Sequence, residues 1–275
     1  MMKSYSFDDI NIFLPKRKLD SHKGKNGRVL VVGGSEGMGG AGIMASEACL
    51  YTGAGLVSLY THKSNLEASL VRNPEIMTKG ITKYVPISEK LNVLLFGPGL
   101  KDDDWSNLIS SYLDNIPKDV KVIVDAGGFK KLKQNKILTS LETILTPHPG
   151  EASNLLDVPI SEIQDKREYS AKAISKKFNA SSVILKGNRT LIYIKDTNET
   201  YVCENGGPEL STGGTGDVLS GVISGLVAQG LSTKDASLLS VAIHAKAGEI
   251  FAKKNGEIGL NASALIPIIR KLLNS

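Results

Sequence analysis

Short, almost wholly apolar runs that stop at glycine- or proline-rich polar loops recur along this chain, and they restrict its fold more than any other feature. They are Arg28-Val-Leu-Val-Val-Gly33, Val93-Leu-Leu-Phe-Gly-Pro-Gly99, Val122-Ile-Val-Asp-Ala-Gly-Gly128, Ile144-Leu-Thr-Pro-His-Pro-Gly-Glu151 and Val183-Ile-Leu-Lys-Gly187. A strand apolar at every position is one buried on both faces, as parallel sheets require. Segments with helical spacing of apolar residues separate these runs, at 43–52, 105–113 and 166–178. Strand and helix in alternation predict an α/β fold with a mainly parallel central sheet and helices on both faces. In such sheets ligands bind at the carboxyl ends of the strands, where these loops gather.

The rest of the chain extends the pattern. Gly53 and Gly55 end the first helix before a strand at 56–60, and the glycine-rich stretch 33–42 reads as a loop. Runs at 191–194 and 199–202 predict a hairpin, and a break at 206–216 precedes helices at 217–228, 236–254 and 262–273.

At 275 residues, 41% of them hydrophobic and 22% charged, the composition fits a single globular domain spanning 1–275, with no linker-like segment. The net charge of +5 is dispersed and interleaved with acids, as at Lys166, Arg167 and Glu168. That spacing describes a solvated face and argues against a nucleic-acid partner. No apolar run reaches membrane-spanning length and the first twenty residues lack the apolar stretch of a secretory signal, so a cytoplasmic location is expected. Cys49 and Cys203 have no ligand-like neighbours and read as buried small hydrophobes, while His62 and His244 default to partly buried, hydrogen-bonded roles.

Gly213-Gly214-Thr215-Gly216-Asp217 is the sharpest chemical signal, since it sets glycine backbone N–H groups against a helix start. Helix N-termini carry unpaired donors and partial positive charge, suited to a phosphate or to charge on a transferring phosphoryl group. Asp217 in that first turn can accept a proton from an attacking hydroxyl, although an aspartate there can also simply cap its helix. Gly37-Met-Gly-Gly-Ala-Gly42 matches GxGxxG, but the next strand ends Tyr60-Thr-His-Lys63, without the acid of a dinucleotide site. The loop reads instead as a close-approach wall for substrate or as a purely structural tight turn. Lys186, Gly187, Asn188, Arg189 and Thr190 offer a cation and donors for a nucleotide phosphate, and the Pro147–Glu151 turn fixes His148 at a strand end.

Taken in order, Ser21-His-Lys-Gly24, Gly40-Ala-Gly42, Phe96-Gly-Pro-Gly99, Val124-Asp-Ala-Gly127, Leu145-Thr-Pro-His-Pro-Gly-Glu151, Leu185-Lys-Gly-Asn188 and Gly213–Asp217 resemble the ADP/ATP-dependent NAD(P)H-hydrate dehydratases of the ribokinase-like superfamily. The resemblance implies a ribokinase-like fold and repair of NADH or NADPH hydrated across C5 and C6, driven by ADP or ATP with Mg²⁺. It implies that Ala41, Gly99 and His148 contact the hydrated nicotinamide nucleotide, that Lys186 to Thr190 and Gly216 contact the adenine nucleotide, and that Asp217 meets the reacting hydroxyl. A homo-oligomer, a tetramer, is the implied assembly, and the chain leaves no room for the N-terminal epimerase domain fused in some members. Related small-molecule kinases carry Gly-Ala-Gly-Asp where this chain has Gly-Thr-Gly-Asp. A kinase of a vitamin-precursor alcohol is the alternative on the same fold.

Overall fold

The structure, a computed structural model, describes residues 2–87, 90–133 and 141–275. Its strands are β1 (Lys3–Tyr5), β2 (Arg28–Val32), β3 (Leu56–Thr61), β4 (Met77–Gly80), β5 (Val93–Phe96), β6 (Lys121–Val124), β7 (Thr143–Leu145), β8 (Ser182–Leu185), β9 (Leu191–Ile194) and β10 (Glu199–Cys203). The helices are α1 (Gly39–Thr52), α2 (Leu66–Arg72), α3 (Asp104–Asp114), α4 (Gly128–Leu132), α5 (Pro149–Leu156), α6 (Ile160–Asp165), α7 (Arg167–Phe178), α8 (Thr215–Ala228), α9 (Thr233–Asn255) and α10 (Leu265–Leu272).

The strands form one sheet in the order β1-β10-β9-β8-β7-β6-β5-β2-β3-β4. All pairings from β4 to β8 are parallel, and the antiparallel hairpin β9–β10 with β1 extends the far edge. Because alternate strand residues face opposite ways, the apolar runs divide between two cores. Val29, Val31, Val93 and Leu95 join α1, α8, α9 and α10, whereas Leu30, Val32, Leu94 and Phe96 join α3, α5 and α7. This is the predicted mainly parallel sheet with helices on both faces. Cys49 and Cys203 are buried as expected.

Three expectations need correction. The stretch 33–42 is a loop only in its first half, since α1 begins at Gly39. A Cβ at Gly39 would sit 2.5 Å from Asn65 and one at Gly42 3.1 Å from Leu59, so these glycines permit close helix packing. The polar leader contributes β1, whose half-exposed residues at a sheet edge carry no alternating signal. The last predicted helix opens with a separate 3-10 turn, Ala262–Ala264, before α10.

The chain leaves β2 for β3 and β4 on one side, then returns to place β5 on the other. A crevice must open where the connections diverge, between the loops that follow β2 and β5.

Candidate active site

The two loops at this switch point are stitched together. Gly34 N donates to Pro98 O at 2.8 Å, Ser35 N to Gly99 O at 3.0 Å, and Lys101 N to Ser35 Oγ at 3.1 Å. A Cβ on Gly99 would lie 2.8 Å from that of Ala41, so two of the predicted substrate contacts touch in the wall of the crevice.

His148, the third, is the N-cap of α5 with Pro149 behind it. Its Nδ1 accepts from Gly150 N (3.0 Å) and Glu151 N (3.2 Å), and Glu151 Oε2 accepts from His148 N (2.7 Å). With Nδ1 committed as an acceptor, the neutral ring carries its proton on Nε2. This half-exposed ring is therefore locked in orientation, as the two prolines suggest.

Deeper at the strand ends lies a charge cluster. Lys186 N continues the β8 ladder by donating to Pro147 O (2.9 Å), and its Nζ is 2.7 Å from Asp125 Oδ1 and 3.7 Å from Glu151 Oε2. Asp125 is buried and also accepts from Thr146 Oγ1 at 2.8 Å. Burial pulls the Lys186 ammonium down, yet Asp125, Glu151 and Asp217 outweigh it and hold it above its ordinary value. Burial lifts Glu151, against the pull of Lys186.

Asp217 stands in the first turn of α8, whose N-cap is Gly214 in the left-handed conformation with no side-chain cap. Asp217 is therefore not the helix cap, and among the described residues its carboxylate makes no hydrogen bond or ion pair. The turn's N–H groups are left as open donors, beside a Lys186 Nζ that a Cβ on Gly216 would approach to 3.4 Å. Burial pushes the Asp217 carboxyl up to about 7, with Asp125 and Glu151 adding to the rise and Lys186 opposing it. The pair of an unpartnered carboxylate and an uncapped helix tip can accept a proton and gather phosphate oxygens in one place.

From this cluster a cavity of about 500 Å³ runs along Lys186, Gly187, Asn188, Arg189 and Thr190, with Thr215 and Gly216 opposite. Gly213 and Gly214 do not line it: Gly213 is exposed, and Gly214 packs on Met44 and Ala262. Residues given no binding role from the sequence complete the lining, notably the loop of Asn205, Gly206 and Pro208, and His244 from α9. His244 is buried, with Nε2 unpartnered among the described residues, and burial lowers it to about 4 against a hydrogen bond to the Thr215 backbone. Asp125 stands out in the sequence as an acid immediately after an all-apolar run and as part of the Val124–Gly127 motif, with nothing to tie it to Lys186. Arg167, expected on a solvated face, turns inward to donate to Leu185 O and Asn188 O.

No group of three or more His, Cys, Asp or Glu side chains among the described residues is arranged to hold a metal. Mg²⁺ bound mainly through phosphate oxygens and water would need only one or two carboxylates, which Glu151 or Asp217, both within charge range of Lys186, would supply.

The profile of the NAD(P)H-hydrate dehydratase family matches residues 29–271. An ADP-dependent (S)-NAD(P)H-hydrate dehydratase of Staphylococcus aureus is 37% identical over 253 residues, covering 88% of each chain. A bifunctional NAD(P)H-hydrate repair enzyme of Coxiella burnetii is 40% identical over 266 residues, covering 95% of this chain and 53% of the relative. The chain thus spans about half the length of the bifunctional relatives it matches. The structure of an ADP/ATP-dependent NAD(P)H-hydrate dehydratase from Bacillus subtilis, co-crystallised with ATP/Mg²⁺, superposes with a TM-score of 0.87 at 27% identity, over 99% of this chain and 98% of that one. Ribokinase from Arabidopsis thaliana, at 13% identity and a TM-score of 0.58 over 90% of this chain and 99% of that one, shares the fold alone. By sequence and by fold, the chain belongs to the NAD(P)H-hydrate dehydratase family.

Proposed function

We propose that the chain, as a single domain over 1–275, dehydrates hydrated NADH and NADPH at the expense of ADP, in the cytoplasm and as a homotetramer. The observation that carries this reading is the unpaired Asp217 carboxylate in the first turn of an uncapped helix, next to Lys186. The adenine nucleotide occupies the cavity between 186–190 and 215–216, with its terminal phosphate against the α8 tip and the Lys186 ammonium. The hydrated nicotinamide lies in the crevice walled by Ala41 and Gly99, with His148 at its rim.

Hydroxide is a poor leaving group, so the energy of the nucleotide is used to convert it into a better one. Asp217 takes the proton from the C6 hydroxyl as its oxygen attacks the terminal phosphorus, and AMP departs. The ring nitrogen lone pair then expels phosphate from C6, and loss of a proton from C5 restores the dihydronicotinamide. Mg²⁺ supplies screening of phosphate charge when bound. Hydrated NADH and ADP thus become NADH, AMP and phosphate.

A product assay tests this against the kinase alternative. Incubation with hydrated NADH, ADP and Mg²⁺ is expected to release AMP and free phosphate in equal amounts with the NADH formed. A stable phosphorylated alcohol without free phosphate would make the chain a kinase.

A further inference from the structure

We propose that Arg167 is a positioning residue that sets the nucleotide-binding shape of the loop 186–190. The inference rests on the reading of that loop as the adenine-nucleotide contact. Leu185 pairs with Leu191 across the β8–β9 hairpin, so the chain must reverse within five residues. It does so through two left-handed positions, Gly187 at φ 139° and Arg189 at φ 54°. The second is costly for a side chain with a Cβ and needs outside support.

Arg167, the first residue of α7, provides it. Its Nη1 donates to Asn188 O at 2.7 Å and its Nη2 to Leu185 O at 3.1 Å, so one planar guanidinium grips the loop at its start and its middle. Two contacts assist: Thr190 Oγ1 donates to Gly187 O at 3.0 Å, and Arg189 pairs with Glu204.

The direction of the grip matters for an anion. In a trans peptide the carbonyl and the N–H point opposite ways, so drawing Asn188 O toward Arg167 turns the Arg189 N–H away from it. Among the described residues, the N–H groups of Gly187, Asn188, Arg189 and Thr190 meet no backbone acceptor. Arg167 thereby takes the negative ends of the loop's dipoles and leaves donors for the ligand. Lysine cannot reproduce this, because it presents a point charge in place of a fork.

The test compares the parent chain with Arg167→Ala and Arg167→Lys, using ADP as the probe in equilibrium binding and in steady-state dehydration. In Arg167→Ala the Kd and KM for ADP are expected to rise about tenfold, with kcat and the KM for hydrated NADH within about twofold. Millimolar guanidinium is expected to restore part of the ADP affinity to Arg167→Ala and none to the parent. Unchanged ADP affinity, or a fall in kcat with both KM values rising together, would overturn the proposal. Should Arg167→Ala not fold, Arg167→Lys decides: a several-fold loss of ADP affinity supports the role, and parental affinity refutes it. A parent chain that neither binds nor consumes ADP overturns the functional reading itself, and this inference with it. A parent that binds ADP no better than a folded Arg167→Ala variant overturns the inference alone.

Discussion

On the proposed reading Asp217 and Lys186 divide the chemistry between them, and each has a measurable signature. A base must be unprotonated to work, so kcat/KM for dehydration is expected to climb as pH rises through about 7, following Asp217, and to level above it. A flat profile from pH 5 to 8 would remove Asp217 as the base. Stability has the opposite sign. The folded carboxyl holds its proton to a higher pH than the unfolded one, so the cost of ionising it is absent below pH 4 and fully present above about 7. Asp217→Asn is therefore expected to gain stability over the parent only as pH rises across that window, by at most roughly 4 kcal/mol, measured by urea titration at both ends. The same variant should lose about two to four orders of magnitude in turnover while ADP binding persists. Lys186→Met would leave Asp125 buried without its cation, an expected loss of about 3–5 kcal/mol, and adding Asp125→Asn should recover part of it. At this scale the sequence was legible where glycines flag a helix tip, as at Gly216-Asp217. It was silent on Asp125, Arg167 and His244, whose roles depend on neighbours 61, 21 and 29 positions away, at Lys186, Asn188 and Thr215.

α1 and α8 are the elements that aim the site, since one rises from the β2 loop and the other carries Asp217. They cross closely because α8 presents Gly221 and Gly225 to α1. A Cβ at Gly221 would collide with the Ala45 carbonyl, and one at Gly225 would lie 2.8 Å from Cys49 O. Both obstacles are backbone, so neither can swing aside. Gly221→Val is expected to cost about 2–3 kcal/mol or more, or to prevent folding, whereas Gly230→Ala, at a glycine whose Cβ would face open space, serves as the control for a backbone effect alone. Thermal unfolding distinguishes them, and parental stability in Gly221→Val would refute the close crossing. Almost wholly apolar strands such as β2, β5 and β8 could be read directly, because burial on both faces leaves at most a first polar position to confuse the pattern. β1 and β4 could not, being short, half-exposed edges that the sheet recruits through backbone pairing. The start of α1 was misplaced for a related reason: glycines used for packing look the same in sequence as glycines used for turning.

Across the whole molecule, the proposed reading has one sheet position two ligands for a single transfer. The switch point between β2 and β5 opens the crevice, the strand ends of β6, β7 and β8 hold the Asp125, Glu151 and Lys186 cluster, and the hairpin beyond them shapes the cavity. Asp217 is charge-coupled to that cluster, and on the proposed reading this carboxylate is where nucleotide and substrate meet. The sheet order was not predictable from the strand pattern alone, because which strand neighbours which is set by crossovers that local periodicity does not encode. The edge on which the crevice and cavity lie was predictable, since these loops follow the carboxyl ends of strands. If nucleotide cleavage drives loss of water at this carboxylate, the near-ultraviolet band of the reduced nicotinamide reports it as it happens. With hydrated NADH, Mg²⁺ and ADP the band should return with the parent chain, and should stay flat without nucleotide or with Asp217→Asn. A band that returns equally fast in the absence of any nucleotide, or in the Asp217→Asn variant, would contradict it.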